Sequence, residues 1–180
     1  MKSKGFTLLE TLVAIAILAI GTAGPIYMAA RSLTLARNSA NRMTASFLAS
    51  EGIELARQAR DEAYLTNYPN DSATAWSTFL PNQLVVYQCS GNGCYFSNTD
   101  KGALATACGS ADCKNEGRLY IDSSKGTYTT DPASGAATPF YRYLKIDKQA
   151  TYIVATCTVT WQFQGQTYTE TQQSIITYWL

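Results

Sequence analysis

The chain of 180 residues contains no histidine. That absence excludes a Ser-His-Asp or Cys-His nucleophile system, a histidine-ligated metal and an imidazole general base, and with them most common hydrolytic designs. Charge is also scarce: 15% of residues are charged, with 14 basic against 13 acidic side chains and a net charge of +1. Near neutrality removes the bulk electrostatic case for binding nucleic acid. Residues 65–180 carry seven basic and eight acidic side chains with no Lys/Arg stripe, so no nucleic-acid partner is expected. Asp112, Asp122 and Asp131 do not fit a calcium-binding loop. No paired-acid or nucleophile constellation stands out, so neither a catalytic residue nor a cofactor is expected. The low charge is not a sign of disorder, because 46% of the residues are hydrophobic.

The hydrophobic residues are concentrated at the start. Met1 to Gly5 is short and polar, with Lys2 and Lys4. From Phe6 to Ala30 the chain reads FTLLETLVAIAILAIGTAGPIYMAA, in which Glu10 is the only charge. As a helix these residues span roughly 38 Å, enough to cross a hydrocarbon layer of about 30 Å. A secretory signal peptide would have a shorter apolar run, a small-x-small cleavage site and a break. Here the run flows without proline into residues 31–64, where Leu33, Ala36, Ala40, Met43, Phe47, Ala59 and Ala63 recur at helical steps. The spacing predicts one nearly continuous helix, with a membrane-spanning first half at 6–30 and an amphipathic second half at 31–66 whose stripe covers a domain. Gly21, Gly24 and Pro25 predict a break within the span, because Pro25 removes one backbone hydrogen bond and crowds the Gly21 carbonyl.

Turn formers at Asn67, Tyr68, Pro69, Asn70 and Asp71 end the helix, and Tyr, Thr, Val and Ile dominate beyond. Strands are predicted at Gln83–Ser90, Arg118–Asp122, Gly126–Thr130, Phe140–Asp147, Thr151–Phe163 and Thr167–Tyr178. In TYIVATCTVTWQF, Ile153, Ala155, Cys157, Val159, Trp161 and Phe163 fall on one face, and Gln164-Gly165 then reverses the chain. The expected fold is α+β: a long N-terminal helix whose amphipathic half packs on an antiparallel sheet in a head spanning 67–180.

Five cysteines leave one over. Cys89 and Cys94 form one short pair, Cys108 and Cys113 another, and Cys157 is isolated between Ala155 and Val159, where a small buried hydrophobe is expected. The four paired positions suit disulfides if the head is extracytoplasmic; a four-cysteine zinc site is the alternative, at the wide end of the usual spacing. Three pairings are possible and spacing does not choose among them. The many Tyr, Asn, Ser and Thr of the head read either as an adhesive surface or as a solvated one.

Lys4-Gly5-Phe6-Thr7-Leu8-Leu9-Glu10, followed at once by apolar helix, closely resembles the cleavage and methylation segment of type IV prepilins and the related pseudopilins. The resemblance covers roughly residues 1–30. It implies a leader at 1–5 removed by a prepilin peptidase after Gly5, a methylated amine at Phe6, and Glu10 as an assembly carboxylate facing the Phe6 amine of a neighbouring subunit. It also implies that the Gly21, Gly24 and Pro25 region unwinds during fibre assembly. An ionised Glu10 in an apolar span independently calls for a partner; alone, it would also fit a helix end reaching the headgroups. The partners implied are other pilin or pseudopilin subunits, the peptidase, an inner-membrane assembly platform, and lipid before assembly.

The expected protein is therefore a structural subunit, a minor pilin of a type IV pilus. Its head would lie outside the cytoplasmic membrane and later in a cell-surface filament. A pseudopilin of a type II secretion or competence system is the near alternative, and a membrane-anchored binding domain a remote one. Lys2 and Lys4 on one side and Arg31, Arg37 and Arg42 on the other show no positive-inside bias, so the orientation rests on the resemblance.

Overall fold

The computed structural model describes residues 7–67, 88–99, 102–109, 113, 116–149 and 151–177. Two compact units are present, Met1–Asn41 and Arg42–Leu180. One helix, α1 (Leu8–Asn67), supplies most of the first unit and enters the second. In the single chain it runs through Gly21, Gly24 and Pro25 without interruption. Proline removes a single hydrogen bond, and the many bonds on either side hold the turn closed.

The second unit adds β1 (Cys94–Thr99), β2 (Gly102–Ala107), β3 (Arg118–Asp122), β4 (Thr127–Thr129), β5 (Ala136–Lys148), β6 (Tyr152–Phe163) and β7 (Gln166–Thr177). All pair antiparallel in one sheet. β5 is the hub: β6 then β7 lie on one side, and on the other its first half pairs β3 and Leu144 pairs Cys94 of β1. The register between β3 and β5 shifts near Pro139, which has no amide to give. Thr138 fills the gap, its hydroxyl donating to the Leu119 carbonyl at 2.6 Å and accepting from the Phe140 amide at 3.3 Å.

β6 and β7 keep an unshifted register from Tyr152↔Thr177 to Phe163↔Gln166. Gln164 and Gly165 close this hairpin with φ of 51° and 77°. Both central residues are left-handed, the type I′ geometry whose twist matches the flanking strands, and glycine occupies the second position without strain.

The core lies between α1 and the sheet. The helix contributes Ala45, Leu48, Ala49, Gly52, Ile53, Ala56 and Ala59; β5 and β6 contribute Phe140, Leu144, Ile146, Ile153, Ala155, Cys157, Val159 and Trp161. This corrects the expected stripe, of which Ala59 alone is buried among the described side chains. Met43 and Phe47 are 63% and 64% exposed, and Leu33, Ala36 and Ala40 are also exposed. The seat is made of small residues because close approach, rather than side-chain size, decides which helix face fits a flat sheet. A Cβ on Gly52 would collide with Cys157 Sγ and come within 3.5 Å of Arg142 Cδ. Arg142, 3% exposed and on the inner face of β5, places Nη1 2.7 Å from a Glu51 carboxylate oxygen and 3.3 Å from the Leu48 carbonyl.

The strand expected at Gln83–Ser90 is corrected where it is described: Gln88 and Cys89 are helical and Ser90 is a bend; 83–87 lie outside the described residues. β1 and β2 were not foreseen, since CYFSNT and GALATA carry little β-branched or alternating signal.

Gly52→Ala is expected to lower stability by about 1–3 kcal/mol through overpacking. Adding Cys157→Ala should restore part of it, a non-additivity measurable by denaturant unfolding of the full chain in detergent. Burial pushes the Cys157 thiol up to about 12, with Arg142 opposing and Glu51 reinforcing the rise. An unfolded thiol ionises near 8.5. The unfolded state therefore holds fewer protons between those values, and stability should fall as pH rises through that window. The stability difference between wild type and Cys157→Ala should be constant near neutral pH and shift against the wild type as pH rises through that window, as melting curves at a series of pH values will show.

Candidate functional site

The functional segment begins at the first turn of α1. Thr7 caps it: the Glu10 amide donates to the Thr7 carbonyl at 3.0 Å and approaches its hydroxyl at 3.4 Å, and the Thr11 amide reaches the same carbonyl at 3.3 Å. Thr7-Leu8-Leu9-Glu10 has the S/T-x-x-E spacing of a capping box, a signal overlooked in the sequence. Gly5 and Phe6 lie outside the described residues. Glu10 is thereby fixed in the first turn, where the helix dipole favours a carboxylate. It is exposed and has no cationic partner among the described residues.

Around and beyond Glu10 the surface is greasy on every side. Leu8, Leu9, Leu12, Val13, Ile15, Ile17, Leu18 and Ile20 are all exposed, and the helix is long and apolar enough to cross a membrane. A lone helix has no core of its own, so these side chains need lipid or other protein around them. Thr22 turns its hydroxyl back onto the Leu18 carbonyl at 2.9 Å and the Ala19 carbonyl at 3.3 Å, hiding a polar group just before Gly24-Pro25. At the far end Arg31 lies over the Tyr27 ring, 5.8 Å from its centroid. Leu8 to Tyr27 measures about 28 Å along the helix, close to the hydrocarbon thickness, so Tyr27 and Arg31 stand where interfacial anchors belong.

Residues 1–24 match the prokaryotic N-terminal methylation motif. This is the type IV pilin and pseudopilin signal. No curated protein and no solved structure matches the chain. The motif supports a type IV pilin-like or pseudopilin protein, structural in kind, and implies prepilin-peptidase processing and assembly with other pilin subunits. Together with the apolar helix it fits an inner-membrane-anchored protein.

In the head, disulfides join Cys89 to Cys94 and Cys108 to Cys113, and Cys157 is free and fully buried. Both bridges sit at one end of the β1–β2 hairpin: Cys94 pairs with Ala107, and the Cys108 amide donates to the Gly93 carbonyl at 2.9 Å. No group of three or more metal-ligating side chains occurs among the described residues.

Native full-length chain should therefore resist alkylation at all five cysteines; denatured without reduction it should react at one, Cys157, and denatured after reduction at five. By loop-closure entropy each short bridge contributes about 2 kcal/mol. Reduction should lower the melting temperature by several degrees; four thiols reactive before reduction would contradict the pairing.

Proposed function

We propose that the chain is a subunit of a type IV pilus, and a minor one. It is made as a precursor, cut after Gly5, methylated at Phe6, held in the inner membrane by α1, and then drawn into a filament with its head outside. The observation that carries the reading is Glu10: a carboxylate with no cationic partner among the described residues, in the first turn of a helix whose first part is exposed on all sides, five residues beyond Gly5. Moving that helix from lipid into a bundle of like helices conserves its apolar contacts. A buried carboxylate needs a counter-charge, and cutting after Gly5 creates one at Phe6. The amine of one subunit beside the Glu10 of the next satisfies both.

In this reading Gly21, Gly24 and Pro25 mark where the helix can open in the filament, since the Gly21 carbonyl already lacks its amide partner. The minor role is supported by the head: two short disulfide loops beside one hairpin make a fastened, individual surface. The assembly platform is the remaining partner expected.

Mass spectrometry of sheared surface filaments should find this chain beginning at N-methylated Phe6, in low abundance beside another pilin. Absence from surface filaments, with loss of protein secretion on deletion, would transfer the same helix chemistry to a pseudopilin. An intact Met1 in assembled fibres would reject the processing.

Glu10→Gln removes the charge while keeping size and hydrogen bonding. Processing and membrane insertion should survive, and incorporation should fall by an order of magnitude or more, as expected when one partner of a buried ion pair worth about 3–5 kcal/mol is lost. Quantitative immunoblots of sheared filaments and membranes from the same cells measure the ratio.

A further inference from the structure

Among the described residues, no strand pairs with the outer edge of β7. Because Phe163 and Gln166 close a two-residue hairpin, Gln166, Tyr168, Glu170, Gln172, Ser174 and Ile176 turn their backbone groups toward β6. The amides and carbonyls of Thr167, Thr169, Thr171 and Gln173 then point the other way, and β7 has β6 as its sole strand partner among the described residues.

Edges of this length are normally guarded by proline, lysine, a bulge or a covering element. β7 has no proline, no lysine and no register shift. α1 bonds to its inner side chains and its last carbonyl: Gln172 reaches Ser46, Arg57 reaches Ser174, and Arg60 reaches the Thr177 carbonyl. Among the described residues, no hydrogen bond reaches the outward backbone groups of Thr167–Gln173, and Ile175, next along that side of the strand, is 65% exposed.

We infer that β7 is a docking edge for an extended segment of a different polypeptide, added antiparallel as one more strand and carrying a lysine or arginine opposite Glu170. The cation follows from Glu170, which is half-buried on the inner face across from Val159 and has no ionic partner among the described residues. In an antiparallel pair it occupies a non-hydrogen-bonded site, where the facing Cβ lies about 4.5–5.5 Å away.

A second copy of this chain does not fit. Ser46, Arg57 and Arg60 meet Gln172, Ser174 and Thr177 in rising order, so the covering stretch of α1 runs the same way as β7. A two-fold β7–β7 pairing would reverse one helix against the other, and two chains anchored in one membrane through the same helix end cannot do that. This exclusion rests on the membrane-anchored reading of α1; the docking of a strand does not.

The probe is the capped peptide TTVTKTVTT, added to the detergent-solubilised full chain and read by hydrogen exchange, an assay independent of filament formation. Exchange at the Thr167, Thr169, Thr171 and Gln173 amides should be fast in the chain alone and slow at least tenfold with excess peptide. TTVTETVTT should protect them less, and Glu170→Gln should erase the difference between the two peptides. Thr169→Pro and Thr171→Pro remove outward amides without removing a β6–β7 bond, so the head should melt as before while peptide protection is lost. Three results would overturn the inference: edge amides already slow in the chain alone, no peptide effect, or protection that grows with chain concentration without peptide. Equal protection by both peptides would overturn the assigned charge.

Discussion

The head depends on how closely a helix can approach a sheet. At Gly52 the backbone of α1 comes so near β5 and β6 that Cys157 Sγ occupies the space a Cβ would take. Small residues before and after it, Ala45, Ala49 and Ala56, extend that seat over several turns. A glycine inside a helix is unfavourable by about 1 kcal/mol against alanine. Here that is offset by contacts lying under the helix, including the hydrophobes of β6. Arg142 fits the same logic: its side chain lies buried beside the seat, and its charge is met there by the half-exposed Glu51 carboxylate and the Leu48 carbonyl.

The same helix serves two environments with one hydrogen-bonding pattern. In the unit from Arg42 onward one face is covered by the sheet of its own chain. In the unit up to Asn41 the apolar side chains are uncovered, and their only suitable surroundings are lipid or other apolar helices. That requirement links the physical chemistry to the methylation motif at residues 1–24. A segment that lipid and helix neighbours accept equally well can leave one for the other, and Glu10 marks which neighbour arrangement is satisfied.

The sheet is fastened unevenly. β5, β6 and β7 hold together by long, unbroken ladders rich in Thr, Val and Ile. The β1–β2 hairpin has short strands of weak propensity and a single registered pair with β5, and it is here that both disulfides fall. Covalent closure supplements side-chain packing where packing is thin. Among the described residues β7 has neither strand partner nor cross-link along its outer edge, and its unshifted register with β6 leaves it in the form a further strand requires.

What was legible in the sequence was local. The long helix followed from an apolar run flowing without proline into a second helical stretch; the six-residue pattern of Cys157's face and the Gln164-Gly165 reversal followed from a period of two and a turn signal. The processing segment was legible because leader, glycine, aromatic and glutamate are contiguous; its Thr7 cap was equally local and was overlooked. The helix face that meets the sheet was not legible: counting large apolar residues selected Met43 and Phe47, whereas the contact uses Ala45, Ala49 and Gly52, because fit to a particular surface, and not hydrophobicity, chooses among faces of one helix. The cysteine pairing, the burial of Arg142 beside Glu51 and the place of β7 as an edge strand among the described residues were likewise decided only by the tertiary structure. Each depends on residues distant in sequence or on the direction of backbone groups, and linear spacing encodes neither.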